Sequence, residues 1–224
     1  MKKIDESYFK VQNEMQKNNV EDIIEKDEKI LLRLKPNKTA YVWSAVMGML
    51  PFALIWLIFD LTAIIFICQT PTIPAGVIIF IIVFFAFHLT PVWIWIGQIV
   101  NATIGYKNIE YVFTSKRIII RSGVIGIDFK TINYSDIEGV NLKVSFIDRM
   151  LKVGDIYIQA VTQSSVLNDI NNPYAVLSSI QKITLDIKTD INYPNDLRPS
   201  TNHGYKTQYS GSDVFTEIRK SNDD

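Results

Sequence analysis

The chain has 224 residues, with 23 Lys/Arg against 23 Asp/Glu, one cysteine and two histidines. Zero formal charge without a polybasic segment at either end argues against a nucleic-acid-binding surface, and a lone cysteine excludes an intramolecular disulfide or a cysteine-based metal cluster. His88 and His203 are too few and too far apart for a zinc site or a His-based triad, and no P-loop, Gly-x-Ser-x-Gly or His-Glu-x-x-His pattern occurs, so a protein with no enzymatic activity, cofactor or metal is expected.

The charges are unevenly spread. Residues 1–41 hold nine Lys/Arg and eight Asp/Glu, residues 101–224 hold fourteen of each, and between Val42 and Val100 only Asp60 is charged. Residues 1–41 read as a cytoplasmic polar lead-in, with helical stretches near 8–17 and 20–27. The short apolar run Ile30-Leu31-Leu32 fits a helix or a strand equally well. The first thirty residues contain no apolar core, so no cleavable secretory signal is expected.

Residues 42–68 are apolar apart from Asp60, longer than the roughly 20 residues that cross a bilayer at 1.5 Å per residue. After a turn with two prolines, Pro71 and Pro74, a second uncharged run covers about 75–100. Both runs are apolar on every face, unlike the single stripe of a soluble core helix, and together they predict a two-helix transmembrane hairpin over 42–100. Tyr41 and Trp43, and Trp93 and Trp95, fall where amphipathic rings favour the headgroup zone. Lys26, Lys29, Arg33, Lys35 and Lys38 precede the hairpin and Lys107, Lys116, Arg117 and Arg121 follow it, while the turn has no base. The bias of Lys and Arg toward the cytoplasm predicts a multi-pass protein of the cell membrane with both termini inside.

From residue 109 the pattern turns to alternation: Ile109, Tyr111 and Phe113 on one face, Glu110, Val112 and Thr114 on the other. A tight turn at Thr114-Ser115-Lys116 leads into strand-like runs at 118–121, 124–127, 129–132, 137–144 and 155–161. Asn172-Pro173 opens a helix with Leu177, Ile180, Ile183 and Ile187 at helical spacing. A mostly β domain over 104–190, of about seven strands capped by a C-terminal helix, is therefore predicted, followed by a polar extension over 191–224.

Glu110-Tyr-Val-Phe-Thr-Ser-Lys-Arg-Ile-Ile-Ile-Arg-Ser-Gly123 and Ser145-Phe-Ile-Asp-Arg-Met-Leu-Lys-Val-Gly-Asp-Ile156 resemble the bacterial pleckstrin-homology-like membrane proteins. The resemblance covers about residues 28–190. It implies a small β-barrel-like fold capped by a C-terminal helix, with two membrane helices just before it. It implies no catalytic residue, because fold does not fix function.

Two constellations stand out as candidate sites. Lys116, Arg117 and Arg121 belong to a stretch, 101–152, with eight bases against five acids, and are a candidate contact for lipid headgroups. Asp60 and His88 are ionisable groups inside predicted spans and form a candidate intramembrane polar site. Counted from a turn at Pro71, however, they lie roughly 17 and 25 Å along their helices and are not expected to be level. The reading is a membrane-anchored binding or scaffolding protein whose partners are membrane lipids and other membrane proteins or a second copy. The alternative is a subunit of a small transport or pore complex.

Overall fold

The computed structural model describes residues 19–26, 28–69 and 72–192. The expected helix near 8–17, the extension from 193 and His203 lie outside the described residues. A 3-10 turn (Val20–Ile23) precedes β1 (Ile30–Leu34), and three helices follow, α1 (Lys38–Cys68), α2 (Ala75–His88) and α3 (Thr90–Tyr106). Then come β2 (Glu110–Thr114), β3 (Arg117–Ser122), β4 (Asp128–Asn133), β5 (Ile137–Lys143), α4 (Phe146–Leu151), β6 (Val153–Ala160), β7 (Ser164–Asn171) and α5 (Pro173–Asn192). The strands form two antiparallel sheets, β1-β2-β3-β4 and β5-β6-β7, and α5 closes the space between them.

Alternation explains most of this. Tyr111, Phe113, Ile118 and Ile120 from the first sheet meet Ile156, Ile158, Leu167 and Ile170 from the second, and Val176, Ile180 and Ile183 cover them at helical spacing. All eleven are at most 6% exposed, and each such side chain contributes about 1.5–3 kcal/mol by leaving water. Val112 and Ile119 point out of this core, yet both are fully buried. Val20 covers them, with Ile23, Ile24 and Phe129 packed alongside. The middle of the first sheet is therefore covered on both faces, which suits its continuous apolar runs Tyr-Val-Phe and Ile-Ile-Ile.

Several boundaries differ from expectation. The run Ile30-Leu31-Leu32, open between helix and strand, is part of β1: Leu34 pairs with Tyr111 and Leu32 with Phe113, and Leu31, Leu32 and Leu34 enter the core. The expected domain limit at 104 thus leaves out an edge strand that lies before the helices. Residues 124–127, expected as a strand, are a bent connection between β3 and β4, while α4 and β7 were not expected.

The helices outrun the apolar segments. Asn37 caps α1, accepting from Ala40 N at 3.1 Å, so the helix begins at Lys38 rather than 42, and α3 continues to Tyr106 rather than 100. The expected single helix over 75–100 is two, broken at Leu89 and bent by 45°. Pro91 accounts for the break. It has no N–H to give to Phe87 O four residues back, and its ring crowds that carbonyl, which instead accepts from the Thr90 hydroxyl. Among the described residues α1 alone is, by length and composition, long and apolar enough to cross a membrane, and α2 with α3 meets that measure only as a bent pair.

Candidate functional site

α1 packs mainly on α3. Tyr41 and Tyr106 face each other with ring centroids 6.3 Å apart, Gln98 Nε2 lies 3.3 Å from Met49 Sδ, and Trp95 Nε1 donates to Val46 O at 2.9 Å. Tyr41 with Tyr106 and Met49 with Gln98 are centred in the chain on Ile73 and Pro74. The same register brings Asp60 and His88 together, with Asp60 Oδ1 and His88 Nδ1 2.6 Å apart. The expectation that they are not level is thus corrected: the contact register of the helices is centred on Ile73 and Pro74, and counted from there the two residues are almost equidistant.

The pair is enclosed. Asp60 is 1% exposed, and the His88 ring lies 5.4 Å from Trp56, 5.5 Å from Phe59 and 5.1 Å from Phe84, stacked on the first and last. Trp56 precedes Asp60 by four residues and Phe84 precedes His88 by four, so each aromatic shares a helix face with its polar neighbour. That spacing was visible in the sequence and marks the aromatic surround that sequence reasoning missed. At 2.6 Å the two atoms are within hydrogen-bond distance. Asp60 Oδ2 is buried without a hydrogen-bond partner among the described residues, so the site can accept one further donor.

Lys116, Arg117 and Arg121 do not form an open cationic face. β2 leads away from the end of α3, which puts Lys116 and Arg117 at the far end of the sheet, beside the start of β1. Arg117 grips Glu28 with two nitrogens, Nε to Oε1 at 2.9 Å and Nη2 to Oε2 at 2.8 Å, and donates to Ile23 O. Lys116 pairs with Glu25 at 2.6 Å, and Arg121 lies 4.0 Å from Glu110. Burial pushes the Glu28 carboxyl up, but hydrogen bonds from Arg117, Thr114 and Glu25 N outweigh it and hold Glu28 below the usual carboxylate range. This arrangement, which fastens the lead-in to the sheet, gives the expected headgroup contact no support.

At the root of the hairpin a cleft of about 390 Å³ is lined by Tyr41, Ser44, Lys143, Asp148, Asp155 and Asp169 among others. The Asp169 backbone N–H donates to Asp155 Oδ1 at 2.9 Å and its carbonyl accepts from Asn37 N at 2.8 Å, which ties β7 to the start of α1. Burial, reinforced by the charges of Asp155 and Asp148, raises the Asp169 carboxyl to about 6. Among the described residues no three His, Cys, Asp or Glu side chains converge as a metal site.

Two antiparallel sheets of four and three strands, closed by one C-terminal helix, define a pleckstrin-homology-like domain, here with a helical hairpin between its first two strands. The profile of the Bacterial PH domain family matches residues 48–187, and the chain belongs to that family. Among solved structures it is similar to a DUF1696 family protein with a pleckstrin-homology domain from Shewanella loihica PV-4. The identity is 20% over 36% of this chain and 70% of that one, with a TM-score of 0.28. No curated protein matches.

Proposed function

We propose that this is a membrane-anchored, non-enzymatic binding or scaffolding protein, whose hairpin crosses the cell membrane twice and displays the pleckstrin-homology-like domain at the cytoplasmic face. The carrying observation is the pairing of β1 with β2. Because these strands are hydrogen-bonded neighbours, α1 must leave from and α3 must return to the same side. A crossing by α1 therefore requires a second crossing by α2 and α3. Large apolar side chains stand bare along the helices, including Ile55, Ile58, Phe66, Phe80 and Phe87, each more than 60% exposed, as lipid-facing residues would be. The bases that flank the hairpin, against none in its turn, favour a cytoplasmic domain. In a Cys68→Ser background, Thr72→Cys should react with an impermeant thiol reagent in intact cells and Ser164→Cys should react only after lysis. The reverse pattern, or labelling of both, rules the topology out. Membrane lipids and other membrane proteins or a second copy are the partners this reading implies, and crosslinking in native membranes identifies them.

A second reading, a subunit of a small transport or pore complex, draws on the buried Asp60–His88 pair with its open acceptor Oδ2. It requires ion or proton flux in proteoliposomes that Asp60→Asn abolishes.

A further inference from the structure

Five large apolar side chains stand bare at two places on the domain, and both places adjoin the root of the hairpin. The first is α4. Ser145 Oγ accepts from Asp148 N at 3.3 Å while Asp148 Oδ2 accepts from Ser145 N at 2.7 Å, and Lys152 ends the helix in the left-handed conformation at φ 57. This short, doubly capped helix presents Phe146 and Met150, four residues apart, 80% and 71% exposed, with Ile147 at 38%. Arg149 and Lys152 are exposed beside them.

The second place is the β3–β4 connection, where Val124 is 40% and Ile125 fully exposed. Gly123, at φ 136, makes this turn possible, since a Cβ there would meet Gly126 O at 2.0 Å. Asn108 Nδ2 donates to Gly123 O at 3.0 Å, and Val124 lies so close over Gly105 that a Cβ on the glycine would meet Val124 Cγ2 at 3.2 Å. The connection is thereby fastened to the last turn of α3. α4 lies correspondingly beside the first turns of α1, its Ser145 and Asp148 lining the root cleft with Tyr41, Ser44 and Ala45. Tyr41 faces Tyr106, so both places sit at one level of the hairpin, where the apolar run starts at Val42.

Single exposed apolar residues are ordinary, but two sets flanking the same level of an apolar hairpin share one environment. We propose that α4, through Phe146, Ile147 and Met150, and the β3–β4 connection, through Val124 and Ile125, insert into the boundary between headgroups and acyl chains of the leaflet that the hairpin enters. They hold the domain against the bilayer on two sides of its root. Arg149 and Lys152, with Lys107 at the end of α3, then lie in the headgroup zone, where their long stems can follow the apolar contact while the charges stay hydrated. The proposal rests on the spanning reading of the hairpin. Val161 offers an internal control: it is 72% exposed but sits at the far end of β6, away from the hairpin.

The test uses full-length protein, with Cys68→Ser, reconstituted in phosphatidylcholine–phosphatidylglycerol vesicles. Single cysteines replacing Ile125, Met150, Val161 and, within α2, Ile79 carry an environment-sensitive fluorophore, and quenching by a lipid spin-labelled near the top of its acyl chain is read. Probes at 125 and 150 should emit to the blue of the probe at 161 and lose fluorescence with the spin-labelled lipid, while 161 is unaffected. Emission at 125 and 150 matching 161 overturns the proposal, and so does a blue shift without lipid quenching, which would place a second protein surface there. Ile79 separates the two readings. Quenching at 79 by a lipid labelled deep in its chain, without quenching at 125 and 150, leaves the spans standing and removes the contact, whereas no quenching at 79 removes both.

Discussion

His88 and Asp60 lie 28 residues apart on different helices, yet their side chains meet at 2.6 Å. The contact pairs Asp60 Oδ1 with His88 Nδ1 among aromatic rings that offer neither a strong partner, so losing one partner costs more than losing both. His88→Phe, which keeps a ring between Trp56 and Phe84, should destabilise the detergent-solubilised protein by about 1–3 kcal/mol, because it leaves Asp60 buried without its partner. Adding Asp60→Leu should recover most of that loss. Thermal unfolding of the two single variants and the double variant decides it, and strictly additive losses mean the residues are not coupled.

The clamp between Glu28 and Arg117 should matter for folding. Glu28 is fully buried at its side chain and accepts from Arg117 and from Thr114 Oγ1, so Glu28→Ala should cost about 3 kcal/mol by stranding the guanidinium. Its carboxyl is held below the ordinary value of 4.5 in the folded protein, so the stabilisation is complete above that value and is lost as pH falls through the lower folded-state value. Chemical denaturation between pH 3 and 7 should show a steeper loss in the wild type than in Glu28→Gln.

Asp169 behaves in the opposite sense. Its folded-state carboxyl is raised from 3.8 to about 6, so the folded protein holds a proton that the unfolded chain releases, and stability falls as pH rises between those values. Asp155, also raised by burial, adds to the same trend, opposed by the hydrogen bond it accepts from Asp169 N and by Lys143. Asp169→Asn keeps a residue that tolerates the left-handed backbone at φ 52. It should stabilise the domain by about 1–3 kcal/mol at pH 7 and by little near pH 4, measured as a shift of the denaturation midpoint.

A fragment limited to residues 104–190 lacks β1 and exposes the core that Leu31, Leu32 and Leu34 cover. It should melt without cooperativity and be cut readily by proteases. Residues 19–36 joined through a short Gly/Ser linker to 107–192 should instead melt cooperatively, because Leu34 and Tyr111 are paired neighbours. Equal behaviour of the two fragments would show that β1 is dispensable.

Some elements were legible in the sequence because the forces that shape them are local. Ile156 and Ile158 alternate with Tyr157, and Ile180 and Ile183 sit at helical spacing, so β6 and α5 could be placed within a few residues. β1 was left open because its partner β2 lies on the other side of the three helices, and no local pattern carries that pairing. β7 was hidden by Asp169, which takes a positive φ where the β6–β7 register shifts and so breaks the alternation. The Asp60–His88 pair was half legible: the two rare residues were visible, but their meeting depends on where the turn folds. Lys116 and Arg117 looked like a free cationic cluster because their acidic partners, Glu25 and Glu28, are distant in sequence.

The place of the hairpin between β1 and β2 bears on how the protein is made. In the topology proposed above, β1 leaves the ribosome with the whole hairpin still to be synthesised, and it waits on the cytoplasmic side for a partner that arrives only after two insertions. A chain whose second crossing failed would leave β1 and β2 on opposite faces of the membrane, with the leucines of β1 bare and the sheet short of a strand. Completion of the sheet therefore requires that the two crossings succeed or fail together, and a single failed crossing is the error it exposes.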